Sequence, residues 1–88
     1  MRKEHREYYL YGDTPVMFVP QPDGGLLITA LHLREKRFLP DTSYYGLIHF
    51  DRDGLAQKLK RDAFESKLRQ LGVSTHLIEE ASVVSVNA

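Results

Sequence analysis

Residues 52–69, RDGLAQKLKRDAFESKLR, nearly repeat themselves after nine positions, with RDGL at 52–55 returning as RDAF at 61–64. Each residue of an α-helix turns by about 100°, so a shift of nine residues amounts to about two and a half turns. Within one helix, Leu55 and Phe64 would therefore face opposite sides. A helix that packs once on a sheet shows a single apolar stripe instead.

Two structures are compatible with this repeat. The segment can break near Arg61, with Asp62 as a new N-cap and Glu65 as its capping-box partner, so that two short helices each bury their own stripe. Alternatively, one helix runs from about Arg52 to Leu71. Good helix formers, the absence of proline and charged pairs four residues apart favour the continuous helix, which we expect to end with Gly72 at C′ and Val73 in the accompanying apolar contact.

The preceding sequence is typical of an antiparallel meander. Two runs rich in aromatic and β-branched residues flank Gly12-Asp13, and Pro22-Asp23-Gly24 predicts a type I turn with a glycine bulge that leads into a third strand from Leu26 to Leu33. Alternate residues of this third strand are mainly apolar on both sides, which predicts a strand covered on both faces.

The remaining segments complete the predicted fold. Residues 34–43 indicate a connection, 44–50 a fourth strand, and 82–86 a final strand after a short helix capped by Ser74 or Thr75. We therefore predict one α+β domain over residues 1–88, a small antiparallel sheet in the order β-β-β-β-α-β with one long helix packed on one face.

Composition excludes several classes of function. The chain has 88 residues, with 12 Lys plus Arg balanced by 12 Asp plus Glu, and this neutrality argues against a dominant polyanion-binding role. It contains no cysteine, which excludes disulfides, thiolate nucleophiles and cysteine-based zinc sites. No apolar run is long enough for a signal peptide or a membrane span, so we expect a cytoplasmic protein without membrane contact.

The two copies of the repeat would face opposite sides of one continuous helix, and this leads to the first functional hypothesis. A continuous helix with two apolar sides, next to a strand with two apolar faces, exposes more apolar surface than one small chain can cover. We therefore expect a non-catalytic interaction or regulatory module without a cofactor, which binds a protein partner or forms a homodimer. The interface candidates are Leu27, Leu31, Leu33, Phe64, Leu68 and Leu71.

A nucleic-acid-binding module is the first alternative, because tyrosines beside basic side chains are typical of single-strand binders. The candidates are Tyr9, Tyr11, Tyr45, Arg34, Lys36 and Arg37. Core or rim packing of these tyrosines is the competing interpretation.

A small metal-dependent or acid/base enzyme is the second alternative. His49, Asp51 and Asp53 combine imidazole and carboxylate groups just before the predicted helix, where a site could form. N-capping by Asp51 or Asp53 explains the same residues without any chemistry, so we assign neither catalytic nor metal-binding residues from the sequence.

Overall fold

The structure, a computed structural model, describes residues 6–79 as an antiparallel sheet with helices on both faces. Its elements are β1 (Glu7–Tyr11), β2 (Thr14–Pro20), β3 (Leu26–His32), β4 (Arg37–Pro40), α1 (Ser43–His49), β5 (Ala56–Leu59) and α2 (Arg61–Gln70). The strand order within this part of the chain is β4-β3-β2-β1-β5. The predicted α+β class is confirmed, whereas the predicted strand at 82–86 lies outside the described residues.

The first three strands form the predicted meander. Gly12 and Asp13 connect β1 to β2, and Gln21–Gly25 connects β2 to β3. In the second turn the Gly24 amide donates to the Gln21 carbonyl at 3.0 Å, and Gly24 has a φ of 94°. Glycine adopts this conformation without the steric cost that other residues carry, so the predicted glycine bulge is confirmed.

Two apolar layers lie on opposite faces of the sheet. On the α2 face, sheet residues pack with α2 and the segment after it; on the α1 face, a smaller layer packs with α1. The buried residues of the α2 face are Tyr8, Met17, Val19, Leu31, Phe38, Phe64, Leu68, Val73 and Ile78, and those of the α1 face are Val16, Phe18, Ile28 and Ala30. Strand β3 contributes to both layers, so its predicted coverage on two faces is confirmed.

The expected continuous helix from Arg52 to Leu71 is wrong. Its first part is a loop followed by β5, and only the second part, α2, is helical. Two local features favour the loop: Gly54 has a φ of 72°, and the Asp51 carboxylate accepts the Leu55 and Ala56 amides at 3.0 Å each. Pairing of β5 with the edge of β1 then outweighs helix propensity.

Because the chain changes from strand to helix between the two copies, apolar residues of both copies can face the same side of the sheet. In β5, Leu59 stands opposite Tyr8 on the α2 face. One residue after Lys60 the helix begins, and Phe64 and Leu68 then bury completely against the same layer that Leu59 contacts. Both copies of the repeat therefore contribute to one core. The alternative of a break near Arg61 had the position right, but it predicted a short helix with its own buried stripe where the structure has β5.

The ends of α2 follow the sequence signals in part. Lys60, and not Asp62, is the N-cap, while Arg61 pairs with Glu65 at 2.9 Å one turn later. At the other end the Val73 amide donates to the Leu68 carbonyl at 2.9 Å, and Gly72 has a φ of 75°. This is the Schellman motif predicted for Gly72 and Val73.

The predicted strand at 44–50 is also wrong, because this segment forms α1. The Asp41 carboxylate accepts the Ser43 amide at 3.2 Å and so orients the first turn. Side chains four residues apart then meet, as Tyr45 does with His49. Part of the preceding segment, predicted as a connection, forms the edge strand β4.

Asp51 is the residue on which the loop before β5 depends most. We expect Asp51→Ala to lower the free energy of unfolding by about 1–3 kcal/mol, because two backbone amides lose their acceptor. The exposed neighbour Asp53 provides the control, and Asp53→Ala should change stability by less than about 0.5 kcal/mol. Urea denaturation of both variants measures the difference, and equal effects would contradict this role of Asp51.

Candidate interaction surface

The two faces of the sheet are covered unequally. The ten-residue helix α2 buries Phe64 and Leu68 completely. The seven-residue helix α1, all of which is described, has no fully buried residue. The sheet residues beneath α1 are buried, but no residue of α1 is, so the outer side of this helix is the part of the α1 face that a partner could reach.

Four exposed apolar side chains lie on or beside α1. They are Leu26, Tyr45, Leu47 and Phe50, with exposed fractions of 45%, 46%, 42% and 77%, and together they are called the apolar patch below. Leu26 belongs to it because it lines a common cleft with Tyr45. Scattered exposed apolar residues are normal, but a group of them on one exposed helix side is typical of an interaction site.

The cleft within the apolar patch is shallow and open, with a volume of about 400 Å³. Leu26 and Ile28 at the start of β3 form one part, and Thr42 and Tyr45 at the start of α1 form the other. The side chains that line it are largely apolar and include two hydroxyl groups. Such a cleft suits an aromatic or aliphatic side chain better than a charged one.

Aromatic contacts hold α1 on the sheet beside this cleft. The ring of Phe18 in β2 lies 4.9 Å from Tyr9, 5.9 Å from Tyr45 and 6.4 Å from His49, and Tyr45 lies 4.3 Å from His49. Packed rings restrict side-chain rotation, so the wall formed by Tyr45 is already oriented for a contact.

None of the six interface candidates from the sequence lies in this patch. Leu31, Phe64 and Leu68 are buried in the core of the α2 face, and Leu27 and Leu71 are half-buried against it. Leu33 is exposed, but in the turn between β3 and β4. The assignment of Phe64, Leu68 and Leu71 depended on the continuous helix, and that of the three others on a strand with two apolar faces. A single subunit already covers the three buried residues.

The sequence contained a helical spacing at residues 44–49 that could have located the patch. The prediction of a strand at 44–50 did not use it. Tyr44 and Ile48 are four residues apart, as are Tyr45 and His49, and Asp41 stands just ahead of them. This spacing is typical of a helix that packs one side on a sheet and exposes the other. Phe50, which directly follows α1, would then have been a candidate contact residue.

The nucleic-acid candidates are only partly brought together. Tyr9, Tyr11 and Tyr45 all lie on the α1 face, as stacking on a base requires. Arg37 belongs to β4, however, which β3 and β2 separate from β1, and Arg34 and Lys36 lie in the turn before it. The nearest charged partner of Tyr9 is acidic, since its hydroxyl donates to Glu7 at 2.7 Å.

The enzyme candidates have other contacts. The Asp51 carboxylate accepts hydrogen bonds from two amides of its own loop, and the His49 ring packs at a tilt against Tyr45 and stacks on Phe18. Residues 6–79 contain no group of three or more His, Asp or Glu side chains that could hold a metal ion. Asp53 is exposed in the loop before β5.

In the same range, none of the helices combines the length and the apolar character needed to cross a membrane.

No protein-family model, curated protein or solved structure matches the chain.

Tyr9 has an altered acidity that can be measured. Burial, the hydrogen bond to Glu7 and the negative charge of that carboxylate raise the pKa of Tyr9 from 10.0 to about 12. Because the folded pKa lies above the unfolded one, the stability that Tyr9 contributes is complete below about pH 10 and is lost as the pH rises towards 12.

We therefore expect Tyr9→Phe to lose less stability than the wild type between about pH 10 and 12. Denaturation curves across this range measure the difference, and Glu7→Gln, which keeps an acceptor but removes the charge, should lower the Tyr9 pKa. An identical alkaline decline in the wild type and Tyr9→Phe would contradict the assignment.

Proposed function

We propose that this chain is a small non-catalytic interaction module that self-associates through the apolar patch. The 77% exposure of Phe50, at the end of a helix with no buried residue, is the observation that supports this most directly. In known complexes a few well-packed residues near the centre of the interface supply most of the binding free energy. The sequence prediction of a cytoplasmic location is part of this proposal.

A second copy of the chain is the partner that fits best. The chain is neutral overall, so two copies meet without net repulsion. A domain of this size buries a smaller fraction of its unfolded surface than a large domain does, and a two-fold dimer is the commonest way to cover a shared apolar surface. The apolar patch thus replaces the helix surface that the sequence had suggested as the site of self-association.

The test is the dependence of molecular mass on concentration, measured by sedimentation equilibrium. We expect a monomer–dimer equilibrium in the wild type, and at least a tenfold increase in the dissociation constant for Leu47→Lys, since a charge enters an apolar contact at a cost above about 1.4 kcal/mol. Leu33→Lys is the control, because Leu33 is equally apolar and 52% exposed but lies outside the patch.

Two results would contradict the proposal. One is a wild-type protein that stays monomeric over the whole concentration range. The other is a dimer that Leu33→Lys weakens as much as Leu47→Lys does, because the apolar patch would then not be the surface that associates.

Binding of single-stranded nucleic acid is the second candidate. It is supported by the position of Tyr9, Tyr11 and Tyr45 on one face of the sheet. The test is the fluorescence anisotropy of a labelled oligonucleotide at several salt concentrations. Binding that weakens steeply with salt, and that is lost when Arg34, Lys36 and Arg37 are all changed to Gln, would favour this candidate over self-association.

A further inference from the structure

Gly46 occupies the middle of α1, and residues 6–79 give no reason for a glycine there. Its φ is not in the left-handed region, unlike those of Gly12, Gly24, Gly54 and Gly72. Apart from its chain neighbours and the backbone of α1 itself, a Cβ added at Gly46 would meet no atom within 4 Å in the described chain. Glycine weakens a helix interior relative to alanine, so this position carries a cost that neither backbone strain nor crowding among the described residues explains.

The contacts of its neighbours show on which side of α1 Gly46 lies. Tyr44 and Ile48 pack on the α1 face of the sheet. At about 100° per residue, Gly46 lies on the opposite, outer side of the helix, on the same stripe as Phe50 four residues later. The smallest possible side chain and the most exposed aromatic side chain of the patch therefore share the outer surface of α1.

The cleft lies at the other end of the same helix. Thr42, which lines it, comes four residues before Gly46, and Phe50 comes four residues after. Each is therefore displaced by about 6 Å along the helix from Gly46, in opposite directions. A two-fold axis through Gly46 would exchange these positions, so that Phe50 of one copy meets the cleft of the other.

From this arrangement we infer that two copies dock with their α1 helices antiparallel and crossing at Gly46, and that Phe50 of each copy fills the other's cleft. This inference rests on the proposed function and specifies the partner as a second copy in one orientation. The absence of a side chain at Gly46 lets the two helix backbones approach closely. Phe50 then buries its ring against Leu26, Ile28 and Tyr45 of the second copy.

Charge is compatible with the same orientation. Asp41 precedes α1, and Arg52 follows it in an exposed loop. The antiparallel arrangement brings Arg52 of one copy to the end of α1 at which the second copy has Asp41, and it also places opposite ends of the helix dipoles together. The Asp51 carboxylate is turned into its own loop, where it binds the Leu55 and Ala56 amides, while Asp53 stays exposed next to Arg52.

Cross-linking tests the two-fold axis directly, because the natural chain has no cysteine. In the Gly46→Cys variant the two sulfur atoms of a dimer would lie next to each other across the axis, so mild oxidation should give a disulfide-linked dimer in high yield. Leu33→Cys, exposed in the turn between β3 and β4, is the control and should remain largely uncross-linked under the same conditions.

Two further variants test the close approach and the inserted ring. We expect Phe50→Ala and Gly46→Leu each to raise the dissociation constant at least tenfold in sedimentation equilibrium. Leucine is a better helix former than glycine, so Gly46→Leu should also raise the thermal midpoint of the dilute monomer. A glycine with a purely structural role would give a change in monomer stability and no change in association.

The outcomes separate this inference from the proposed function. A dimer that Leu47→Lys weakens, but in which Gly46→Cys does not cross-link and Phe50→Ala has no effect, would overturn the inference and leave self-association through the patch intact. A wild type that remains monomeric would overturn both. Selective cross-linking at Gly46 together with loss of association in Phe50→Ala supports both.

Discussion

The contact on which the rest of this fold depends is that between the end of β5 and the start of α2 on one face of the sheet. Leu59 stands opposite Tyr8, and Phe64 packs its ring 4.9 Å from Tyr8 and 5.9 Å from Phe38. In one continuous helix Leu59 and Phe64 would lie about 140° apart, and one of them would lose its core contact. A change from strand to helix at Lys60 keeps both in the same layer, and burial of two such side chains outweighs the helix propensity of the segment.

The same arrangement leaves only one short helix among the described elements to pack on the α1 face. Because the described residues after β5 pack on the α2 face, the seven-residue helix α1 is the described element that covers the α1 face. These residues anchor through Tyr44, Tyr45 and Ile48 and leave the outer side of the helix exposed. The hypothesis of an apolar contact surface therefore stays a prediction, and it now refers to α1 and not to the helix that suggested it.

Signals that act within a few residues were sufficient to predict much of this fold. The glycine bulge at Gly24 and the helix end at Gly72 depend on local backbone geometry, and both were identified correctly. The elements that were missed depend on distant partners: β5 exists because β1 offers an unpaired edge, and β4 because β3 offers another. The candidate site shared this weakness, since which apolar residues remain exposed follows from the tertiary arrangement and not from the periodicity of one segment.

The ion pairs of Glu79 have a consequence for how the module can be connected to other chains. Its carboxylate lies 3.6 Å from Arg6, just before β1, and 2.8 Å from Arg61, just after β5, so the described chain enters and leaves at one corner. That corner is beside α2, on the other side of the sheet from α1. In a dimer built on α1, the two corners would point away from each other. The points at which the described chain begins and ends in each copy would then lie at opposite ends of such a dimer.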